Sequence, residues 1–430
     1  MSLREDADRI IKASIEHVLP DEAVKRALGD ADFEDDRVHL VAVGKAAWQM
    51  AKAASDYLGD RLLDGMVITK YGHVKGELPR IECFEAGHPV PDENGFAASR
   101  RVVEYVKPMT EGDTVVFLLS GGGSALFEVP LVSPEELQDV TGQLLSCGAS
   151  ITEINTIRKR LSAVKGGRFA ALCAPATVFS IILSDVIGPA DMIASGPCYP
   201  DSSTAADALA IIEKYGLEVS PKVRSLIGEE LPRQIDNTIN EVTGSVTELC
   251  TAAAQAARQL GYLPMILTDS LSCEAREAGS FLGSIAKYYR KNAGRSMAII
   301  AGGETVVHLT GKGKGGRNQE IALSAARAID DLEDTAVFSI GSDGTDGPTD
   351  AAGGYADGST ADLLRKQGVS IDAVLADNDS YAALEKSGGL IITGPTGTNV
   401  NDVAVALVKC PGSALEMPFG RLFANDDDEE

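Results

Sequence analysis

Apolar residues along this chain gather in short unbroken runs rather than in strict alternation. Runs at 38–43, 66–69, 114–119, 178–183, 262–267, 297–300, 336–340 and 390–393 each read as a strand buried on both faces. Between them, apolar positions recur at helical spacing over 46–58, 207–215, 248–260, 274–289 and 319–329. Strands separated by helices predict parallel sheets covered on both sides, an α/β fold in three layers. At the N-terminus Ser2 and Glu5 form a capping-box pattern ahead of Ile11, Ile15 and Val18, which predicts a folded amphipathic helix. A polar stretch at 215–240, holding Pro221 and Pro232, predicts a boundary. The expected domains are 1–235 and 236–430, with the last motif free to pack back on the first domain.

Composition narrows the function. The chain has 430 residues, 39 Lys and Arg against 63 Asp and Glu, and a net charge of −24. Such a surface repels phosphate backbones and anionic lipid, so nucleic-acid and membrane partners are not expected. A small anion answering to its pocket's local field is still admitted. The seven cysteines show no Cys-x-x-Cys pair and no metal spacing, which fits thiols in a reducing compartment. No apolar run reaches the roughly 18 residues of a membrane span. A soluble, cytoplasmic protein is expected, with a homo-oligomer left open.

Strand after strand ends in glycine or a small polar residue, and in open α/β sheets ligands bind at those carboxyl ends. Lys45 follows Gly44 at the tip of the first strand, just before a helix N-terminus suited to phosphate. The third long run ends in Ser120-Gly121-Gly122-Gly123-Ser124, either a tight turn or a backbone cradle for an anion. Residues 311–318 read GKGKGGRN, a positive spot in an acidic chain, with Arg317 and Asn318 opening a helix. They suggest an anion clamp or a basic hairpin. The run SDGTDGPTDAAGG carries Asp343, Asp346 and Asp350. Asp343 and Asp350, with Asp185, are candidate metal ligands, turn and capping chemistry being the alternative. Arg158, in a basic helix over 154–168 taken as half solvated, could hold a substrate carboxylate. Thr396 and Asn399 sit in the final strand-end loop. No Walker loop occurs, and the single G-x-G-x-x-G match at 311–316 has no strand-end acid after it. Glycine loops, cations and aspartates together make the set that phosphoryl transfer uses, which favours the cradle.

In this order, AVGKAAWQMA, EAGHPVPDEN, LLSGGGSALF, INTIRKRLSAVKGGR, LSDVIG, IASGP, LSCEAREAG, GGETVVH, GGRNQEIALSAA, GSDGTDGPTDAAGG and TGPTGTNVND resemble the glycerate kinases of the MOFRL type. The resemblance runs from about residue 40 to 402. It implies two α/β domains around a cleft, the first Rossmann-like, with ATP, a divalent cation such as Mg²⁺, and D-glycerate converted to 2-phosphoglycerate. It also implies Lys45 and Arg317 as the active-site pair. The competing readings are an NAD(P)H-dependent hydroxypyruvate reductase and a non-catalytic binding protein.

Overall fold

A computed structural model describes residues 2–33, 37–184 and 190–410. The chain forms two compact units. The first holds Glu16–Glu248 and Gly397–Val400; the second holds the N-terminal helix through Ile15, Leu249–Thr396 and the chain from Asn401. The sequence places the boundary at 235/236, whereas the units divide at 248/249.

The first sheet contains β1 (Arg37–Val43), β2 (Leu62–Lys70), β3 (Ile81–Ala86), β4 (Asp113–Leu119), β5 (Thr177–Leu183) and β6 (Thr238–Gly244). Their order is β3-β2-β1-β4-β5-β6, and every neighbouring pair is parallel. This is the doubly wound, Rossmann-like order, and its winding reverses between β1 and β4. β4 is buried along its whole length, as its uninterrupted Val-Val-Phe-Leu-Leu run requires. Phe117 of β4 packs against Phe127 and Phe169 with ring centroids 5.9 and 4.7 Å away. The two edge strands escape the sequence pattern because they are only half buried and carry polar residues along their length. β6 is the one that moves the boundary, since it completes the first sheet.

The second sheet contains β7 (Leu263–Leu271), β8 (Met297–Gly303), β9 (Thr335–Gly341), β10 (Gly353–Asp357), β11 (Leu390–Ile391) and β12 (Asp402–Val408). Its order is β11-β10-β9-β12-β8-β7. Here the expectation of parallel sheets is corrected: only β7 and β8 pair in parallel, and the other neighbours are antiparallel. β12, a fully buried strand, runs back between β8 and β9, and β10 runs back beside β9 with β11 antiparallel beyond it. The sheet remains an α/β one, with the Ala275–Asn292 and Arg317–Ala328 helices packed together over it. No helix among the described residues is long and apolar enough to cross a membrane.

Those two helices meet at glycines. A Cβ on Gly279 would stand 2.2 Å from the Ile321 carbonyl oxygen, and one on Gly283 would stand 2.8 Å from the Ala328 Cβ. Gly142, in the Pro134–Ser146 helix, is exposed and would meet nothing within 4 Å. Helix propensity alone favours alanine over glycine by about 1 kcal/mol. Gly142→Ala should therefore raise the thermal midpoint. Gly279→Ala should lower it, because overpacking costs about 1–3 kcal/mol and outweighs the propensity gain. Thermal melts of both variants check the pair; equal shifts in one direction would contradict the close crossing.

Candidate functional site

The ends of β1 and β4 are stitched together where the sheet's winding reverses. The Ser120 amide donates to the Val43 carbonyl at 2.9 Å, and the Lys45 amide donates to the Gly121 carbonyl at 2.8 Å. The buried Ser120 hydroxyl accepts from the Ala46 amide at 3.1 Å. His73 donates from Nδ1 to the Lys45 carbonyl at 2.9 Å. The backbone at Lys45 is thus held on both sides. Its ammonium has no hydrogen-bond or ion-pair partner among the described residues. Gly122 sits in the left-handed region with φ of 89°. Its missing Cβ leaves room for the His88 ring and the Lys45 stem, whose atoms would lie 2.9 and 3.3 Å away. Gly123 begins a four-residue helical turn packed on Leu119 and Ala194. Gly122 therefore serves close packing around Lys45 and His88, and Gly123 serves close packing on Leu119 and Ala194.

Below this loop lies a layer of buried charge. Lys165 is fully buried; it donates to the Ser124 carbonyl at 3.0 Å and the Phe127 carbonyl at 2.7 Å and forms an ion pair with Glu128 at 3.0 Å. Burial pushes its pKa below the ordinary lysine value, against the pull of Glu128. Lys159 bridges Asp191 at 2.9 Å and Asp201 at 3.0 Å. Arg160 pairs with Asp201 and with Ser203. The half-solvated basic helix expected over 154–168 is corrected accordingly: Lys159, Arg160 and Lys165 are all fully buried, and the helix ends at Arg160. Buried ammonium and guanidinium groups need carboxylates, and those lie up to 42 residues away in sequence. Arg158 keeps a role at the loop by donating to the Ser124 carbonyl at 3.2 Å, while its Nε is buried without a hydrogen bond. Ser124 itself stands 3.4 Å from Ser195, which donates to Asn155 at 3.1 Å. Ala194 and Ser195 both have positive φ, a strained pair that the sequence gives no sign of.

In the second unit the predicted anion clamp is already filled from within the chain. Asp346 accepts from the Asn318 and Gln319 amides at 3.1 and 2.9 Å, so the helix N-terminus has its anion. The Arg317 fork grips Asp402, with Nε at 2.5 Å and Nη2 at 3.0 Å, and Nη1 meets Glu304 at 2.8 Å. Burial works to lower the Arg317 pKa, but the hydrogen bond and charge of Asp402, then Glu304, hold it above its ordinary value. The glycines of 311–316 are explained by packing. A Cβ at Gly311, Gly313 or Gly315 would strike Asp377, Asp379 or Ser380 within 2.4 Å, and Lys314 lies over the Tyr381 ring at 4.1 Å. That loop is neither a hairpin nor a dinucleotide turn. Asn318 is buried between Asp346 and Ser339.

Among the described residues no group of three or more His, Cys, Asp or Glu side chains is placed to hold a metal ion. Asp343 accepts from the Thr345 amide at 2.9 Å, a turn contact, and exposed Asp350 accepts from the Tyr381 hydroxyl at 2.8 Å. Asp185 and the acidic run 425–430 lie outside the described residues. Thr396 donates to the Ser342 carbonyl at 2.6 Å and Asn399 is exposed. Sequence reasoning counted Glu304 among the strand ends and singled out neither His88 nor Asp402; only the placement of His88 within EAGHPVPDEN, between a strand and a helix, could have flagged it.

The comparisons with known proteins agree along the whole chain. A domain of unknown function (DUF4147) matches residues 6–228, and the MOFRL family matches residues 297–402. The chain is 54% identical to the D-glycerate 2-kinase of Thermotoga maritima, covering 95% of this chain and 99% of that one. It is 42% identical to the glycerate 2-kinase of Pyrococcus horikoshii, covering 95% and 98%. The crystal structure of the Thermotoga maritima glycerate kinase (EC 2.7.1.31) superposes with a TM-score of 0.89, over 94% of this chain and 99% of that chain.

Two consequences can be measured. Arg317→Ala would leave Asp402 buried without its partner, which should cost on the order of 3 kcal/mol in a denaturant titration, with Arg317→Lys between. An Arg317→Ala protein as stable as the parent would contradict this pairing. Burial pushes Asp346 up to about 6, against hydrogen bonds from Gln319 and Asn318, from an ordinary 3.8. The native state then holds that proton more tightly than the unfolded chain. The group's contribution is complete below 3.8 and is lost as pH rises through about 6. Asp346→Asn cannot titrate, so its thermal midpoint should fall less than the parent's between about pH 4 and 7.

Proposed function

The chain belongs to the MOFRL-type glycerate 2-kinase family, and on that premise we propose that it transfers the γ-phosphoryl group of ATP to D-glycerate, giving 2-phosphoglycerate and ADP. The observation that carries this reading is Lys45, an ammonium without a protein partner among the described residues, standing where the winding of a parallel sheet reverses. Phosphoryl transfer asks little covalent chemistry of a protein. It asks for positioning and for positive charge beside the phosphoryl oxygens. Lys45 supplies the charge, and its pinned amide and carbonyl fix where that charge can reach.

Arg317 enters the same reading in a changed form. Its contact with Glu304 is exposed, and exposed pairs are worth little. Nη1 can exchange Glu304 for a phosphoryl or carboxylate oxygen while Asp402 keeps the other two donors in place. Ser120, Gly121 and Gly122 shape the loop at Lys45, and Arg158 and Ser124 brace it. Asn318 and Thr396 are proposed only as supports of the second unit's loops, and Asn399 as a support within the first unit. The described acidic residues do not build a magnesium site, and no step is routed through one. A divalent cation would arrive with the phosphates of ATP, and Asp185 is the proposed protein ligand. That none of the seven cysteines is in a disulfide fits a reducing, cytoplasmic setting. The reductase alternative loses its one dinucleotide signal, because 311–316 packs on Asp377, Asp379 and Ser380.

Phosphorus NMR after incubation with MgATP and D-glycerate should show ADP and 2-phosphoglycerate. A 3-phosphoglycerate signal would overturn the regiochemistry. NADH consumption with hydroxypyruvate and no ADP from glycerate would overturn the kinase reading. Lys45→Ala should lower kcat by about 10²–10³ with the thermal midpoint unchanged, since this ammonium holds no partner.

A further inference from the structure

Five histidines occur in the chain, and four of them are held. His17 meets Glu248 at 3.1 Å, His39 meets Asp64 at 2.6 Å, His73 donates to the Lys45 carbonyl at 2.9 Å, and His308 faces Glu274 at 3.4 Å. His88 is different: among the described residues its ring makes no hydrogen bond or ion pair. Yet it is not adrift. It follows β3 at the same carboxyl edge of the sheet and is half buried. A Cβ on Gly122 would stand 3.0 Å from His88 Nε2 and 3.3 Å from Lys45 Cγ. The space a side chain at Gly122 would fill is thus taken by an imidazole on one flank and the lysine stem on the other. A ring kept only for packing would lose nothing as Phe or Leu. A ring with an uncommitted nitrogen beside the working cation has something to accept.

We infer that His88 is the general base of the reaction, taking the proton of the glycerate hydroxyl that attacks phosphorus; this rests on the kinase reading above. As that oxygen bonds to the γ-phosphorus, the bond from phosphorus to the bridging oxygen breaks, and its electron pair leaves on ADP. The hydroxyl proton passes to the His88 ring nitrogen, and the imidazolium later returns it to solvent. The charged and titratable groups facing His88 are Lys45 before its helix, Lys70 at the end of β2 and His73 in the loop after it. Burial first, then Lys45, Lys70 and His73, hold its pKa below the ordinary 6.5. The ring is therefore neutral, with a lone pair to offer, at neutral pH. Lys45 in this arrangement does two things: it attracts the phosphoryl oxygens and it keeps the base unprotonated.

The experiment is a pH profile of kcat/KM for the parent and for His88→Ala and His88→Gln, with D-glycerate and MgATP. The parent should lose activity toward acid with unit slope and an apparent pKa below 6.5. Both variants should lose about 10²–10⁴ in kcat and should lose the acid limb. Added imidazole should restore part of the His88→Ala rate in proportion to its neutral fraction, a response that a structural role would not give. Full activity with an unchanged acid limb in the variants overturns the proposal and leaves the kinase reading standing. No ADP from the parent overturns both. Should either variant fail to fold, an NMR titration of the parent's histidines decides: a His88 pKa at or above 6.5 overturns the assignment.

Discussion

The loop after β4 depends on one buried ammonium. Lys165 donates to the Ser124 and Phe127 carbonyls and pairs with the Glu128 carboxylate, so all three are held to a single atom. A buried pair of this kind contributes little net stability compared with apolar filling, but losing one member leaves an uncompensated charge. What it provides is position. With the far end of the loop held by Lys165 and the near end by Ser120, the residues between have little freedom, and Gly122 is where the imidazole and the lysine stem come close.

Much of the first unit was legible. Continuous apolar runs gave its central strands because parallel strands are buried on both faces, and the rule that ligands gather at strand carboxyl ends led to Lys45 and Ser120. Its edges were not legible, since β3 and β6 are half-buried and break the pattern. The second unit was harder for a different reason. A glycine run can mean a ligand's close approach or the chain's own. At 311–316 it means the chain's own, and only the fold shows that Asp377 and Asp379 are the neighbours.

Charged residues misled for a related reason. Sequence reading assigns a cation to solvent or to a ligand unless a carboxylate stands nearby along the chain. Arg317 pairs with Asp402, 85 residues on, and Lys159 with Asp201, 42 residues on. Asp346 was passed over among its neighbours as a metal ligand and proves to be the cap of the Arg317–Ala328 helix. The acidic residues that look most available for a ligand, Asp343 and Asp350, serve turns and a tyrosine instead.

β12 has a bearing on how the molecule comes into being. It occupies the middle of the second sheet, pairing with β8 on one side and β9 on the other, yet among the described strands it comes last in the chain. Asp6 in the first helix accepts from Tyr262 at 2.7 Å and from Lys409, just past β12, at 2.9 Å. On a ribosome the first sheet can close as soon as β6 emerges, while the second remains split, with β8 and β9 showing bare edges until residue 408 is released. The first described helix waits for the last described strand. Synthesis therefore passes through a long interval in which the strands of the first sheet are paired while β8 and β9 expose unpaired edges, the kind of surface that drives aggregation.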